Sequence, residues 1–176
     1  MTDASDLIDF DSLLTADEIA LRDRVRTFVT TVIKPNIADW YDRAVFPTEI
    51  IPEMAELGLL GMHLHGYGCP GKSAVDYGLA ALELEAGDSG LRTFVSVQGS
   101  LAMSAIYKHG SEEQKNEWLP KMAAGEAIGC FGLTEPDAGS DPGGMRTRAE
   151  KTPDGYRLTG SKMWISNSPI ADVFVV

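Results

Sequence analysis

Cys130-Phe-Gly-Leu-Thr-Glu-Pro-Asp-Ala-Gly-Ser-Asp141 and, shortly after it, Gly160-Ser-Lys-Met-Trp-Ile-Ser-Asn167 are the stretches that decide how this chain is read. The first is an apolar run that breaks at Glu135-Pro136 into a loop of Gly, Asp and Ser, turning hydroxyls and backbone N–H groups outward where a strand ends. Such an end can cradle the edge of a ring and a phosphate. The second reads as an extended segment, and strand side chains repeat every two residues, so Trp164 and Ser166 are expected on one side. A flat aromatic and a hydroxyl would then address one ligand. Taken singly, each stretch also fits a hairpin end or a core aromatic. Their joint presence in this order favours the ligand.

Working outward, the residues before these motifs are patterned for helices. Thr15-Ala-Asp-Glu18 reads as a capping box, and Val25, Phe28, Val29, Val32 and Ile33 follow it at helical spacing. Pro35 is expected to end or kink that helix. Pro47 suits the first turn of a second helix through Ile50, Ile51, Met54 and Leu57, stopped by Gly58. A Gly-rich loop then runs to Lys72. Ser73 opens a third helix over about 74–87. The apolar segment 94–107 predicts a fourth through Val97, Leu101 and Ile106, and Ser111-Glu-Glu-Gln114 caps a fifth that ends near Gly125. Beyond Gly125 the pattern shortens to strands over 128–133, 145–151, 156–159, 162–166 and 171–176, with Pro153-Asp-Gly155 as a turn. Helices first and strands after predict an α+β order, divided into a helical domain over 1–126 and a β domain over 127–176.

Composition narrows the function classes. At 176 residues and 44% hydrophobic, the chain can fill one domain or a domain and part of another. Fifteen Lys+Arg against 26 Asp+Glu give a formal net charge of −11, the wrong sign for a nucleic-acid surface or an anionic membrane. An anionic ligand would need a locally basic or donor-rich site, for which Arg146, Arg148 and Lys162 beside the two motifs are candidates; a solvated strand face is the alternative. Cys69 and Cys130 are too few and too far apart for a disulfide framework, which fits a reducing compartment. The acid-rich start has neither the arginines of a transit peptide nor an apolar signal core, and no run reaches transmembrane length. The expectation is a cytoplasmic protein with no membrane insertion.

Two patterns invite other readings. Gly66-Tyr-Gly-Cys-Pro-Gly71 satisfies G-x-G-x-x-G, with Asp88 at about the ribose-binding distance, but Pro70 removes an N–H where a dinucleotide-binding helix must offer donors. A mobile loop between helices is expected there instead. His63-Leu-His65 with Cys69 matches no common zinc spacing, so no metal site is expected.

The two opening motifs resemble the flavin-binding signatures of the acyl-CoA dehydrogenases, in wording most similar to the glutaryl-CoA dehydrogenase branch, over about 15–176. The resemblance implies FAD, with Phe131, Leu133 and Thr134 along the isoalloxazine ring, Thr134 bonding its pyrimidine edge and Ser140 near the pyrophosphate. It implies Trp164 packed on the flavin and the Ser166 hydroxyl at N5, where the family usually has Thr. It also implies that Arg92 in Gly90-Leu-Arg-Thr93 binds the distal carboxylate of a glutaryl chain, paired with Glu85 and beside Thr93 and Ser140 as further substrate contacts. Glu85 lies seven positions before Arg92, two turns along one helix side. The alternative is that Arg92 caps a helix end or pairs with Asp88. Ala86-Gly87, Leu91 and Thr93 depart from the family's usual residues, which leaves chain-length preference open.

By the same resemblance the fold is an N-terminal all-α domain followed by the start of a β-sheet or barrel domain, with a C-terminal helical domain absent from this chain. The implied reaction takes an α-proton with a glutamate base and a hydride from the β-carbon, and in the glutaryl branch loses CO₂ to give crotonyl-CoA. Glu135 is read as a structural acceptor, so no catalytic base is expected within these residues. Since the sequence stops within an apolar strand, the chain is expected to be the N-terminal part of a longer enzyme. The implied partners are the acyl-CoA substrate and electron-transfer flavoprotein, in a homotetramer. A general short-chain acyl-CoA dehydrogenase, an acyl-CoA oxidase and a short non-catalytic flavin- or partner-binding module are the rival readings.

Overall fold

The computed structural model describes residues 8–176; Met1–Leu7 of the acidic start lie outside the described residues. Helix α1 (Ala16–Phe28) starts at Thr15, whose hydroxyl accepts from the Glu18 N–H while the Glu18 carboxylate accepts from Thr15 N–H. Ser73 and Ser111 make the same box for α4 (Ala74–Gly87) and α7 (Glu112–Ala123), the Ser73 box closing on Asp76 and the Ser111 box on Gln114. Each cap satisfies donors that the first helical turn leaves without a partner.

Pro35 does not end the first helix. A π-helical stretch, Val29–Ile33, carries α1 into α2 (Lys34–Asp42), and the Lys34 N–H reaches back five residues to Val29 O. The wider turn takes up the ladder bond that proline cannot make. A 3₁₀ turn at Thr48–Ile50 leads into the short α3 (Ile51–Glu56), and Gly58 closes it at φ +73.

The segment 61–72 is a pinned hairpin rather than a mobile loop. Strands β1 (His65–Gly66) and β2 (Cys69–Pro70) pair antiparallel through Tyr67-Gly68, both at positive φ as a type I′ turn requires. The Tyr67 hydroxyl donates to Glu112 at 2.8 Å. The glycines of the G-x-G-x-x-G pattern therefore serve a turn, not a phosphate.

The fourth predicted helix starts five residues earlier than expected, at Ser89, because Asp88 caps it through Leu91 N–H at 2.7 Å. It runs as α5 (Ser89–Ser96), a second π-helical stretch (Val97–Met103) and α6 (Ser104–His109). The core lies between α1, α3, α4 and α5, where Val25, Ile33, Met54, Leu84 and Phe94 are wholly buried. Met103, Leu119 and Met122 form a second cluster under α6 and α7.

The strands are few, and no closed barrel forms among the described residues. β3 (Gly129–Phe131) pairs in parallel with β6 (Val173–Val175), Cys130 opposite Phe174. β4 (Arg148–Thr152) and β5 (Gly155–Thr159) form an antiparallel hairpin around Pro153-Asp154. The strand expected over 162–166 is absent: Trp164 sits at φ +60 and the segment is irregular. Alternation therefore does not place Trp164 and Ser166 on one side.

A Cβ on Gly129 would fall 2.6 Å from both Ala102 Cβ and Met122 Cε, so β3 lies directly on the π-helical stretch. Gly129→Ala is expected to destabilise the protein by about 1–3 kcal/mol through overpacking. A thermal midpoint equal to or above that of the wild type would refute this close approach.

Candidate functional site

Thr134, Glu135 and the irregular segment 162–163 are held together by one acidic side chain. Glu135 is buried and accepts from Arg146 N–H at 2.7 Å, Thr147 N–H at 2.9 Å and Lys162 Nζ at 2.9 Å. Lys162 Nζ also donates to Leu133 O, and Met163 N–H to Thr134 O, both at 2.9 Å. The donors from Arg146, Thr147 and Lys162, in that order of effect, push the Glu135 carboxyl down from 4.5 to about 2. A carboxylate so stabilised and so occupied is a poor proton acceptor, in keeping with its reading as a structural group.

That clamp brings part of the predicted flavin set together. It lays 162–163 against 133–134, and the side chains of Leu133 and Trp164 are both exposed. Trp164, 86% exposed and in a left-handed backbone conformation unusual for a bulky residue, is an apolar plate without cover among the described residues. Ser166 and Ser140 are exposed, while Phe131 and Thr134 are half-buried. An exposed indole, an exposed apolar side chain and two accessible hydroxyls are groups that suit a flat heteroaromatic ring. No structural bond joins Ser140 to Arg92 or Glu85 among the described residues. Of the proposed basic groups, Lys162 is committed to Glu135 and Arg148 pairs with Glu150 at 2.9 Å, leaving Arg146 as an exposed cation in this region.

The second set lies between α4 and α5. Arg92 Nε donates to Glu85 at 2.6 Å, but across the break at Asp88 rather than along one helix. Asp88 is engaged as the α5 cap, so the alternative Arg92–Asp88 ion pair does not form. The Ser89 hydroxyl and then Arg92 push the Glu85 carboxyl below its usual range. Arg92 Nη1 lies 3.5 Å from Ser96 Oγ at the edge of a narrow gap lined by Leu59, Met62 and Ala80. Tyr77 reaches the same place from α4, its hydroxyl 3.3 Å from Ser96 Oγ and 3.0 Å from Ser100 Oγ. Thr93, the next residue on α5, is half-buried and faces a different side of the helix. Sequence reasoning missed Tyr77, Ser96 and Ser100, although the spacing Arg92, Ser96, Ser100 places the last two on Arg92's helix face.

Neither thiol belongs to these sets, and burial pushes both Cys69 and Cys130 up from the ordinary cysteine range. Among the described residues no three acids, histidines or cysteines gather as metal ligands, and no helix is long and apolar enough to cross a membrane.

Comparison with known proteins fits this arrangement. Residues 15–126 match the family model "Acyl-CoA dehydrogenase, N-terminal domain" and residues 130–176 match "Acyl-CoA dehydrogenase, middle domain". The chain therefore belongs to the acyl-CoA dehydrogenase family, whose members are FAD-dependent oxidoreductases. Glutaryl-CoA dehydrogenase from Mycobacterium smegmatis superposes with a TM-score of 0.96 at 62% identity, over all of this chain and 46% of that one. Butyryl-CoA dehydrogenase from Megasphaera elsdenii superposes at 0.83 with 33% identity, over 92% of this chain and 43% of that one. A short-chain-specific acyl-CoA dehydrogenase from Clostridium acetobutylicum is 37% identical over 93% of this chain and 43% of its own length. The chain thus spans less than half of each relative.

The Glu135 clamp has a pH signature. Its carboxyl is depressed in the folded protein, so the stability it contributes is complete above about pH 4.5 and is lost as pH falls toward 2. In a carboxyl-carbon NMR titration Glu135 is expected to titrate near 2, and Glu135→Gln to abolish the acid-dependent change at Lys162. A midpoint close to 4.5 would show that the three donors do not converge on it.

Proposed function

We propose that this chain is the N-terminal and middle part of an FAD-dependent acyl-CoA dehydrogenase acting on glutaryl-CoA, which it oxidises and decarboxylates to crotonyl-CoA. The observation that carries the reading is the Arg92–Glu85 pair at the edge of an apolar gap, in a chain 62% identical to a glutaryl-CoA dehydrogenase. FAD, when bound, supplies the two-electron acceptor. Phe131, Leu133 and Trp164 would hold its ring, with the Thr134 and Ser166 hydroxyls at its polar edges and Ser140 near its phosphates.

The chain's own residues account for substrate choice. Glu85 takes the Nε edge of the Arg92 guanidinium and Ser96 approaches Nη1, so the planar group is fixed before a ligand arrives. The Nη1–Nη2 end of the fork can then receive a distal carboxylate in two parallel bonds. The proton acceptor for the α-carbon is none of the described residues. Electron-transfer flavoprotein as oxidant, a homotetrameric assembly and a cytoplasmic location complete the proposal. A general short-chain dehydrogenase is the second reading, favoured by the 37% identity to the C. acetobutylicum enzyme.

The test is a substrate comparison in the full-length protein. Arg92→Ala is expected to lower kcat/KM for glutaryl-CoA by about 10- to 150-fold, the equivalent of one charge-assisted contact of about 1.5–3 kcal/mol, and to leave butyryl-CoA nearly unchanged. Equal losses on both substrates, or a wild-type preference for butyryl-CoA, would replace the glutaryl reading with the general one.

A further inference from the structure

The opening motif ends on a residue that the site described above does not use. Asn167 sits at φ 69 and ψ −10, left-handed, and its side-chain Nδ2 donates to Gly129 O at 3.2 Å. The N–H of the same glycine donates to Oε1 of Gln98 at 2.7 Å, and Gln98 is wholly buried in the π-helical stretch that continues the Arg92 helix. Gln98 Nε2 donates in turn to Met122 O at 3.1 Å and Ala127 O at 2.9 Å. Gly129, the first residue of β3, is thus held on both its N–H and its carbonyl by side-chain amides that arrive from two different elements. The close approach of β3 to Ala102 and Met122 leaves it no room to shift toward the helix.

We propose that Asn167 is a positioning residue for Ser166: through Gly129 and Gln98 it fixes the hydroxyl-bearing segment to the helix that carries Arg92. The proposal rests on the flavin reading of Ser166 and goes beyond it by naming what holds that hydroxyl in place. Ser166 is exposed, lies in an irregular segment and has no side-chain hydrogen bond among the described residues, so its direction depends on its neighbours. On one side Met163 N–H is tied to Thr134 O, and on the other Asn167 is tied to Gly129 O. One anchor is the first residue of β3 and the other lies three residues past its end. Ser166 and the Phe131–Thr134 segment therefore move as one body, and that body is fixed to α5 through Gln98. Reacting atoms held between Arg92 and Ser166 need this registry, because errors of about 1 Å in such positioning can cost about 100-fold in rate.

The decisive variant is Asn167→Gly in the full-length flavoprotein. Glycine adopts the left-handed conformation without strain and deletes only the amide, so a residue that merely makes the turn is replaced without loss. The expected result is a modestly lowered thermal midpoint, because Gly129 O loses its side-chain donor, with retained FAD, an altered visible circular dichroism of the bound flavin, and single-turnover reduction by glutaryl-CoA about tenfold slower. Amide exchange across 163–168 in the flavin-free protein is expected to quicken. Asn167→Asp, which places an acceptor where the donor was, is expected to behave as Asn167→Gly does. Wild-type dichroism, reduction rate and exchange in Asn167→Gly, with the wild-type protein yellow, would overturn this inference alone. A wild-type protein that retains no FAD would overturn the flavin reading and this inference with it.

Discussion

The buried amide of Gln98 is the contact on which the helical and strand-forming parts of this chain depend. Its three bonds span 24 to 31 residues and satisfy the carbonyls of Met122 and Ala127 together with the N–H of Gly129, where α7 gives way to β3. A buried amide left without partners costs about 1–3 kcal/mol for each unmatched group, so the pairing is specific as well as cohesive. Gln98 lies in the second π-helical stretch. The extra residue in the turn shifts the helix face, and the Ser104 N–H and hydroxyl both turn back to Gly99 O, the hydroxyl at 3.0 Å. Gly99 has no Cβ to meet the Gly61 backbone, which would lie 3.0 Å away.

Charge is used locally in the same manner, although the whole chain carries −11. Arg26 meets buried Glu83 at 2.8 Å and bridges α1 to α4; buried Arg22 forks onto Asp11 and Asp23; Lys162 meets buried Glu135. Each of these acids faces a cation or several backbone donors, so the acidic excess resides on solvated surfaces. The fold can therefore be acidic overall and still present Arg92 to an anion.

The helices were largely legible because their signals are local. Thr15, Ser73 and Ser111 each precede a side chain able to close a capping box, and the structure closes all three. What escaped was decided by contacts distant in sequence. The π-helical turns keep nearly the same apolar pattern as an α-helix, and Val29 of the first one packs against Gly87, where any Cβ would come within 2.7 Å of its Cγ1. The start of α5 was placed late because its apolar run begins only at Phe94, whereas the Asp88 carboxylate caps a helix that starts five residues before that run. The segment 162–166 looked like a strand because its residue types suit one. Its backbone donor at Met163 instead goes to Thr134 O, and Glu135 gathers Lys162 inward, so no ladder can form. The pair Glu85 and Arg92 was legible through the family resemblance, whereas Tyr77 reaches Ser96 and Ser100 only through the packing of α4 on α5.

The break at Asp88 has a chemical consequence for Arg92. On a single straight helix, a glutamate seven residues back would lie two turns away on the same face, about 10.5 Å along the axis. The extended backbone at Asp88 instead turns α5 away from α4, so Glu85 meets Arg92 through Nε while Ser89 takes its other oxygen at 2.6 Å. Glu85 is thereby satisfied on both oxygens and its charge is offset by a hydroxyl as well as by the arginine. The guanidinium is oriented without being enclosed, its side chain still 34% exposed, which is the condition a selective carboxylate receptor has to meet.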